Sequence, residues 1–142
     1  MKFDITKDDL EFKTQVESCT FPVADFNHRA HVRLAYIYLS KNDVDLASER
    51  MRETLKHFLL HNGVDPSKYH ATLTKAWILA VHHFMNKTGS YRSANAFMDK
   101  NPDILDTKIM MTHYSAEVLF SDEARTTFIE PDLDPIPEYE SN

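Results

Sequence analysis

The sequence predicts an all-α fold: a single-domain antiparallel helical bundle of about five or six helices, followed by an extended, proline-rich C-terminal tail. Three observations point there. Only two glycines, Gly63 and Gly89, occur in 142 residues, whereas an all-β chain of that length needs many glycine-bearing turns. Apolar residues recur at spacings of three and four through three long segments, the period of one helical face. Both glycines fall just past such a segment, Gly63 after the stripe ending near Leu59 and Gly89 after the stripe ending near Phe84. Glycine commonly terminates a helix at that position.

A chain of this length is close to the usual size of one domain. The expected organisation is an N-terminal helix and connector at 1–25, a helical core at 26–128 and an extended acidic tail at 129–142. Asp8 to Ser18 carries Leu10, Phe12 and Val16 as a short first helix. In the connector from Thr20 to Asp25, Pro22 breaks any helix and biases Phe21 towards an extended conformation. A second helix begins near Asn27, with His28, His31, Val32, Ala35, Tyr38 and Leu39 on one face. Leu34, Tyr36 and Ile37 widen its apolar surface, so this helix is expected to be largely buried.

Asn42-Asp43 caps a third helix. Val44, Ala47, Met51, Leu55, Phe58 and Leu59 form its apolar face, opposite Glu49, Arg50, Arg52, Glu53 and Lys56. Asp65-Pro66-Ser67 pairs a capping residue with a proline suited to a first helical turn. It therefore predicts a fourth helix from there to about Asn86, with His70, Leu73, Thr74, Trp77, Ile78, Val81 and Phe84 on its stripe. A shorter helix is expected from Ser90 to Asp99, ended by Pro102, then another from Asp106 to Tyr114 and a serine-capped turn from Ser121 to Arg125. Pro131, Pro135 and Pro137 forbid helix or central strand in the tail. The tail is expected to lie across the bundle through Leu133 and Ile136.

Composition narrows the function classes. No apolar run approaches the ~18 residues that a membrane-spanning helix needs, and the N-terminus lacks the hydrophobic core of a signal peptide. Cys19 is the single cysteine, which excludes an intrachain disulfide and fits a reducing, cytoplasmic setting. A net charge of -6 with no basic run argues against nucleic acid as a partner. There is no Gly-x-Ser-x-Gly elbow and no phosphate-cradling glycine loop, and no histidine lies near Cys19 in sequence.

What remains is a set of histidines. Short loops make consecutive helices antiparallel, so the second and fourth run parallel and their N-terminal ends meet the C-terminal end of the third. That topology brings His28, His31 and His70 to one pocket, with His57 or His61 within reach. An i, i+3 pair such as His28 and His31 has Cβ atoms ~5–6 Å apart, a spacing two imidazoles bridge through a metal. His70 supplies a third ligand, and the ion is of the Zn, Fe or Cu type. Tyr69 and Tyr38 are the candidates to orient a small organic substrate or transfer a proton. Two other readings stand beside the metal enzyme. The positive helix N-termini favour a small anionic ligand and neutral imidazoles, or the histidines are structural in an accessory protein that docks a partner through its tail or an exposed helix face. His61 is accounted for by its place at a helix C-terminus, and His82 and His83 point about 100° apart.

Two motifs, Phe26-x-His28-x-x-His31 and Tyr69-His70-x-Thr72-x-Thr74, occur together with His113-Tyr114-Ser115, Ser121-Asp122-Glu123-Ala124-Arg125, Glu130-Pro131-Asp132-Leu133 and Pro135-Ile136-Pro137. In this combination the chain resembles a group of small, mostly uncharacterised helical proteins over about residues 26–137. The resemblance implies the helical fold and brings no activity with it. The pattern of that group often has glutamate directly after the histidine of the Tyr-His piece, where this chain has Ala71. A metal site here is then three-histidine, or recruits Glu53, Glu117 or water.

Overall fold

The computed structural model describes residues 3–137, apart from the side chain of Thr88, and it is all-α. The helices are α1 (Lys7–Glu17), α2 (His28–Lys41), α3 (Val44–His61), α4 (Ala71–Thr88), α5 (Ala94–Lys100), α6 (Ala116–Leu119) and α7 (Asp122–Thr126). Single 3-10 turns lie at Val23–Asp25, Pro66–Lys68, Pro102–Leu105 and Thr107–Thr112. The three long helices α2, α3 and α4 pack against one another at the centre. Around them, α1 covers α2 and α3, α5 and the Pro102–Leu105 turn lie on α2, and α7 lies on α4. None of the helices is long and apolar enough to cross a membrane.

Helix α2 is the buried axis that its apolar surface predicts: Val32, Leu34, Ala35 and Tyr36 have no exposed surface. Helix α3 is amphipathic, burying Ala47, Met51, Leu55 and Phe58. Side-chain caps set their starts. Asn27 Oδ1 accepts from the Ala30 N–H at 3.0 Å, and Asp43 Oδ1 accepts from the Leu46 N–H at 2.8 Å. Gly63, at φ 69°, and Gly89, at φ 108°, follow the ends of α3 and α4, where a side chain would be strained.

The fourth helix departs from expectation at its start. Asp65-Pro66-Ser67 opens only the 3-10 turn to Lys68, and α4 begins at Ala71. The reason is local: Asp65 Oδ1 accepts the Ser67 N–H two residues on, at 2.9 Å, a turn that an aspartate closes by itself. Tyr69 and His70 are then extended, with ψ of 134° and 103°, and His70 becomes the cap. Helix α5 starts at Ala94 rather than Ser90 because Tyr91 is held in an isolated bridge to Phe3, with the Asp4 N–H donating to its carbonyl at 2.9 Å. The segment expected as a helix at 106–114 is the Thr107–Thr112 3-10 turn. Helix α6, capped by Ser115, is additional. Of the two expected tail contacts, Ile136 is buried while Leu133 stays 52% exposed; instead the Leu133 N–H donates to the His113 carbonyl at 2.9 Å. Residues 138–142 of the expected tail lie outside the described residues.

One buried carboxylate joins three helices on the side away from His70. Asp9, 1% exposed, accepts from Arg33 Nε at 3.0 Å, from the Ala94 N–H at the start of α5 at 3.0 Å, and from the Thr6 N–H in the capping box of α1 at 3.1 Å. Removing it leaves a cation and two N–H donors without an acceptor. Asp9→Ala is expected to lower the unfolding free energy by about 3 kcal/mol. Asp8→Ala, at an exposed first-turn carboxylate, should cost less than about 1 kcal/mol. Urea unfolding of the two variants checks this; equal shifts would remove Asp9 from the role.

Candidate functional site

A cavity of about 570 Å³ opens where the N-terminal halves of α2 and α4 meet the C-terminal half of α3. Phe26, His28 and His31 come from the start of α2, Leu55 and Leu59 from α3, and His70, Leu73, Thr74 and Trp77 from the start of α4. Lys108, Met110, Met111, Leu119 and Phe120 close the remaining side. The three histidines singled out in the sequence therefore share one cavity. Both motifs converge there as well, since Phe26, His28, His31, Tyr69, His70 and Thr74 all line it.

The imidazoles differ in what they have left to offer. His70 Nδ1 accepts the Leu73 N–H at 3.1 Å, capping α4, and its Nε2 lies 2.7 Å from the Leu119 carbonyl. A carbonyl only accepts, so Nε2 carries the proton and the ring is neutral. His28 Nε2 lies 3.0 Å from the Ile104 carbonyl and is likewise the donor, leaving Nδ1 as its acceptor. The His28 ring stands 4.4 Å from the Trp77 ring and 6.5 Å from that of His31, centroid to centroid. His31 Nε2 is buried with no hydrogen-bond partner among the described residues. Burial, with a smaller push from neighbouring His28, lowers the pKa of His31 to about 4. His70 is lowered too, chiefly by burial, against the raising effect of its bond to Leu119.

Comparison with protein-family models, with curated proteins and with solved structures gives no match.

The donor set can therefore be weighed on geometry. Both ring nitrogens of His70 are engaged within the protein in this arrangement. Glu53 and Glu117, the carboxylates that could have replaced it, are exposed and are not among the cavity walls. His57 and His61 are also exposed and do not line it. Among the described residues no group of three or more His, Cys, Asp or Glu side chains is arranged to hold a metal ion. The ends of α2 and α4 are altered as anion sites in the same way, because Asn27 and His70 already occupy one N–H at each.

The two tyrosine candidates separate. Tyr38 lies towards the other end of α2, where its hydroxyl is 2.7 Å from both Glu17 Oε2 and Thr54 Oγ1, and it does not line the histidine cavity. Tyr69 does line it, and burial raises its phenol above the ordinary value, partly offset by Thr74 and the charge of Arg52. It stays protonated at neutral pH and so keeps a proton available for donation. The sequence reading missed the covering residues, among them Lys108, Met111 and Phe120. They lie in short segments without a helical stripe to mark them, and Met111 is 38% and Phe120 58% exposed.

Two outcomes follow. His70→Ala loses the cap and strands the Leu119 carbonyl, for a cost of about 2 kcal/mol in unfolding free energy; His70→Asn keeps a capping oxygen and should cost roughly half as much. Equal losses in urea unfolding would argue against the cap. Because the folded-state pKa of His31 lies below its unfolded value, the unfolded chain binds the extra proton. Stability should therefore fall as pH drops from about 6.5 to about 4, by up to roughly 3 kcal/mol from this group. His31→Phe should flatten much of that slope in pH-dependent unfolding, with His70 and His83, both also lowered by burial, contributing to the part that remains; an unchanged slope would place His31 in contact with water.

Proposed function

We propose that this protein binds a small, largely apolar organic molecule with one hydrogen-bonding group, and that the histidine cavity is the site. The observation that carries the reading is His31 Nε2: a polar atom buried without a partner on a residue that lines an otherwise mostly apolar cavity. Such an atom costs about 1–3 kcal/mol when left unpaired, and a ligand group that pairs with it recovers that cost. The cavity volume, about 570 Å³, falls in the range of small-molecule pockets. The remaining polar groups fit binding better than turnover. His28 and His70 hold backbone carbonyls, Thr74 Oγ1 donates to the His70 carbonyl at 2.8 Å, and no activated nucleophile stands beside them. Cys19, a buried free thiol away from the cavity, accords with the cytoplasmic setting expected for the chain.

Trp77, the single tryptophan, lines the cavity and reports on it directly. Titration with decanol should change Trp77 fluorescence saturably. Leu73→Phe, which narrows the cavity, should weaken the response, and His31→Phe should weaken it about fivefold by removing the polar partner. An absent or non-saturable response to decanol, or one indifferent to both substitutions, would overturn the reading.

A further inference from the structure

A second cavity, of about 580 Å³, lies between the C-terminal end of α3, the Pro66–Lys68 turn and α7. It shares Leu59 and Tyr69 with the histidine cavity, so those two side chains form a common partition. Leu60, Val64 and Pro66 extend its apolar wall, but its charges are different. Lys56 and Arg125 line it together with one carboxylate, Asp122. Lys56 Nζ stands 5.0 Å from the centre of the Tyr69 ring, which puts a cation at the partition itself. Arg125 Nη1 donates to the Ser67 carbonyl at 3.2 Å, which fixes the guanidinium on the same turn with further donors to offer. The Tyr69 phenol, kept protonated by burial, adds a neutral donor.

The histidine cavity offers the complement. Its interior histidines His31 and His70 are held neutral, its walls are chiefly apolar, and its two cations, Lys68 and Lys108, are exposed, so a carboxylate seated deep beside Trp77 would be desolvated away from a counter-charge. We infer that the two cavities are the halves of one site for an amphipathic organic acid, with its apolar body beside Trp77 and His31 and its carboxylate between Lys56 and Arg125 at the Tyr69 partition. The inference rests on the binding function proposed above and adds the chemical class of the ligand.

The test compares decanoate with decanol below their aggregation concentrations, reading Trp77 fluorescence in the full chain and in Lys56→Met and Arg125→Gln. Lys56 is exposed and Arg125 is partly so, and unchanged unfolding midpoints will show that both variants keep the fold. The expected result is that decanoate binds at least as tightly as decanol, and that the ratio of the two affinities falls about tenfold in each variant. A ratio unchanged in both variants, with decanol still saturating, overturns the two-part site and leaves the histidine cavity as a binder of neutral molecules. Saturation by neither compound overturns both readings.

Discussion

One imidazole ring ties the start of α4 to the end of α6. His70 has a single donor and a single acceptor in its neutral form, and both are used within the protein, one on the first turn of α4 and one on the last residue of α6. Thr72 makes a second clasp two residues on: its hydroxyl donates to the Thr127 carbonyl at 2.8 Å and accepts the Ile129 N–H at 3.1 Å. Thr74 closes the same turn on the His70 carbonyl. Tyr-His-x-Thr-x-Thr is thus a docking device in which three side chains grip backbone groups. Leu119 and Phe120, which cover the histidine cavity, are positioned by it.

The same solution recurs on the other side of the bundle, and for the same reason. Helices α5, α6 and α7 have 7, 4 and 5 residues, too few to persist alone, since helix nucleation is costly and each short helix gains little from propagation. They exist because side chains of the long helices and of α1 satisfy their ends and their carbonyls. Asp9 does so for α5, and His28 fastens the Pro102–Leu105 turn to α2 through the Ile104 carbonyl. Two of the three histidines are therefore fasteners. His31 is the remaining one, and the only one of the three with a buried ring nitrogen lacking a partner among the described residues.

Much of this was legible in the sequence, and the boundary between what was and was not has a physical basis. Helical periodicity located α2 and α3 closely and the body of α4, because a buried stripe leaves a pattern within the segment itself. Caps at Asp43 and Ser121 were legible for the same reason: a cap and its N–H lie three residues apart. Loop length was enough to bring the three histidines together. What escaped were partners distant in sequence. The Ile104 carbonyl lies 76 residues from His28 and the Leu119 carbonyl 49 residues from His70, and neither leaves a local trace. Histidine is also an uncommon helix cap, and Asp65-Pro66 five and four residues upstream presented the stronger start signal.

These clasps shape what the cavity can recognise. A carbonyl that accepts from an imidazole fixes its tautomer, so His28 and His70 hold their protons towards the protein, and burial keeps the interior uncharged. The fixed cations stand instead at the edges, Lys108 on the covering segment and Lys56 and Arg125 beyond Tyr69. Charge inside would have to be desolvated at a cost of several kcal/mol, whereas charge at the edge keeps water on one side. In the proposed site, selectivity follows from where each ligand group must sit. An apolar body gains by leaving water among Leu55, Leu73 and Trp77, a neutral hydrogen-bonding group gains by meeting His31, and an anionic group gains only if it reaches the outer face of Tyr69. A compact anion gains little from either half, because the neutral interior offers it no counter-charge and it has no apolar body to set against Leu60, Val64 and Pro66 at the edge.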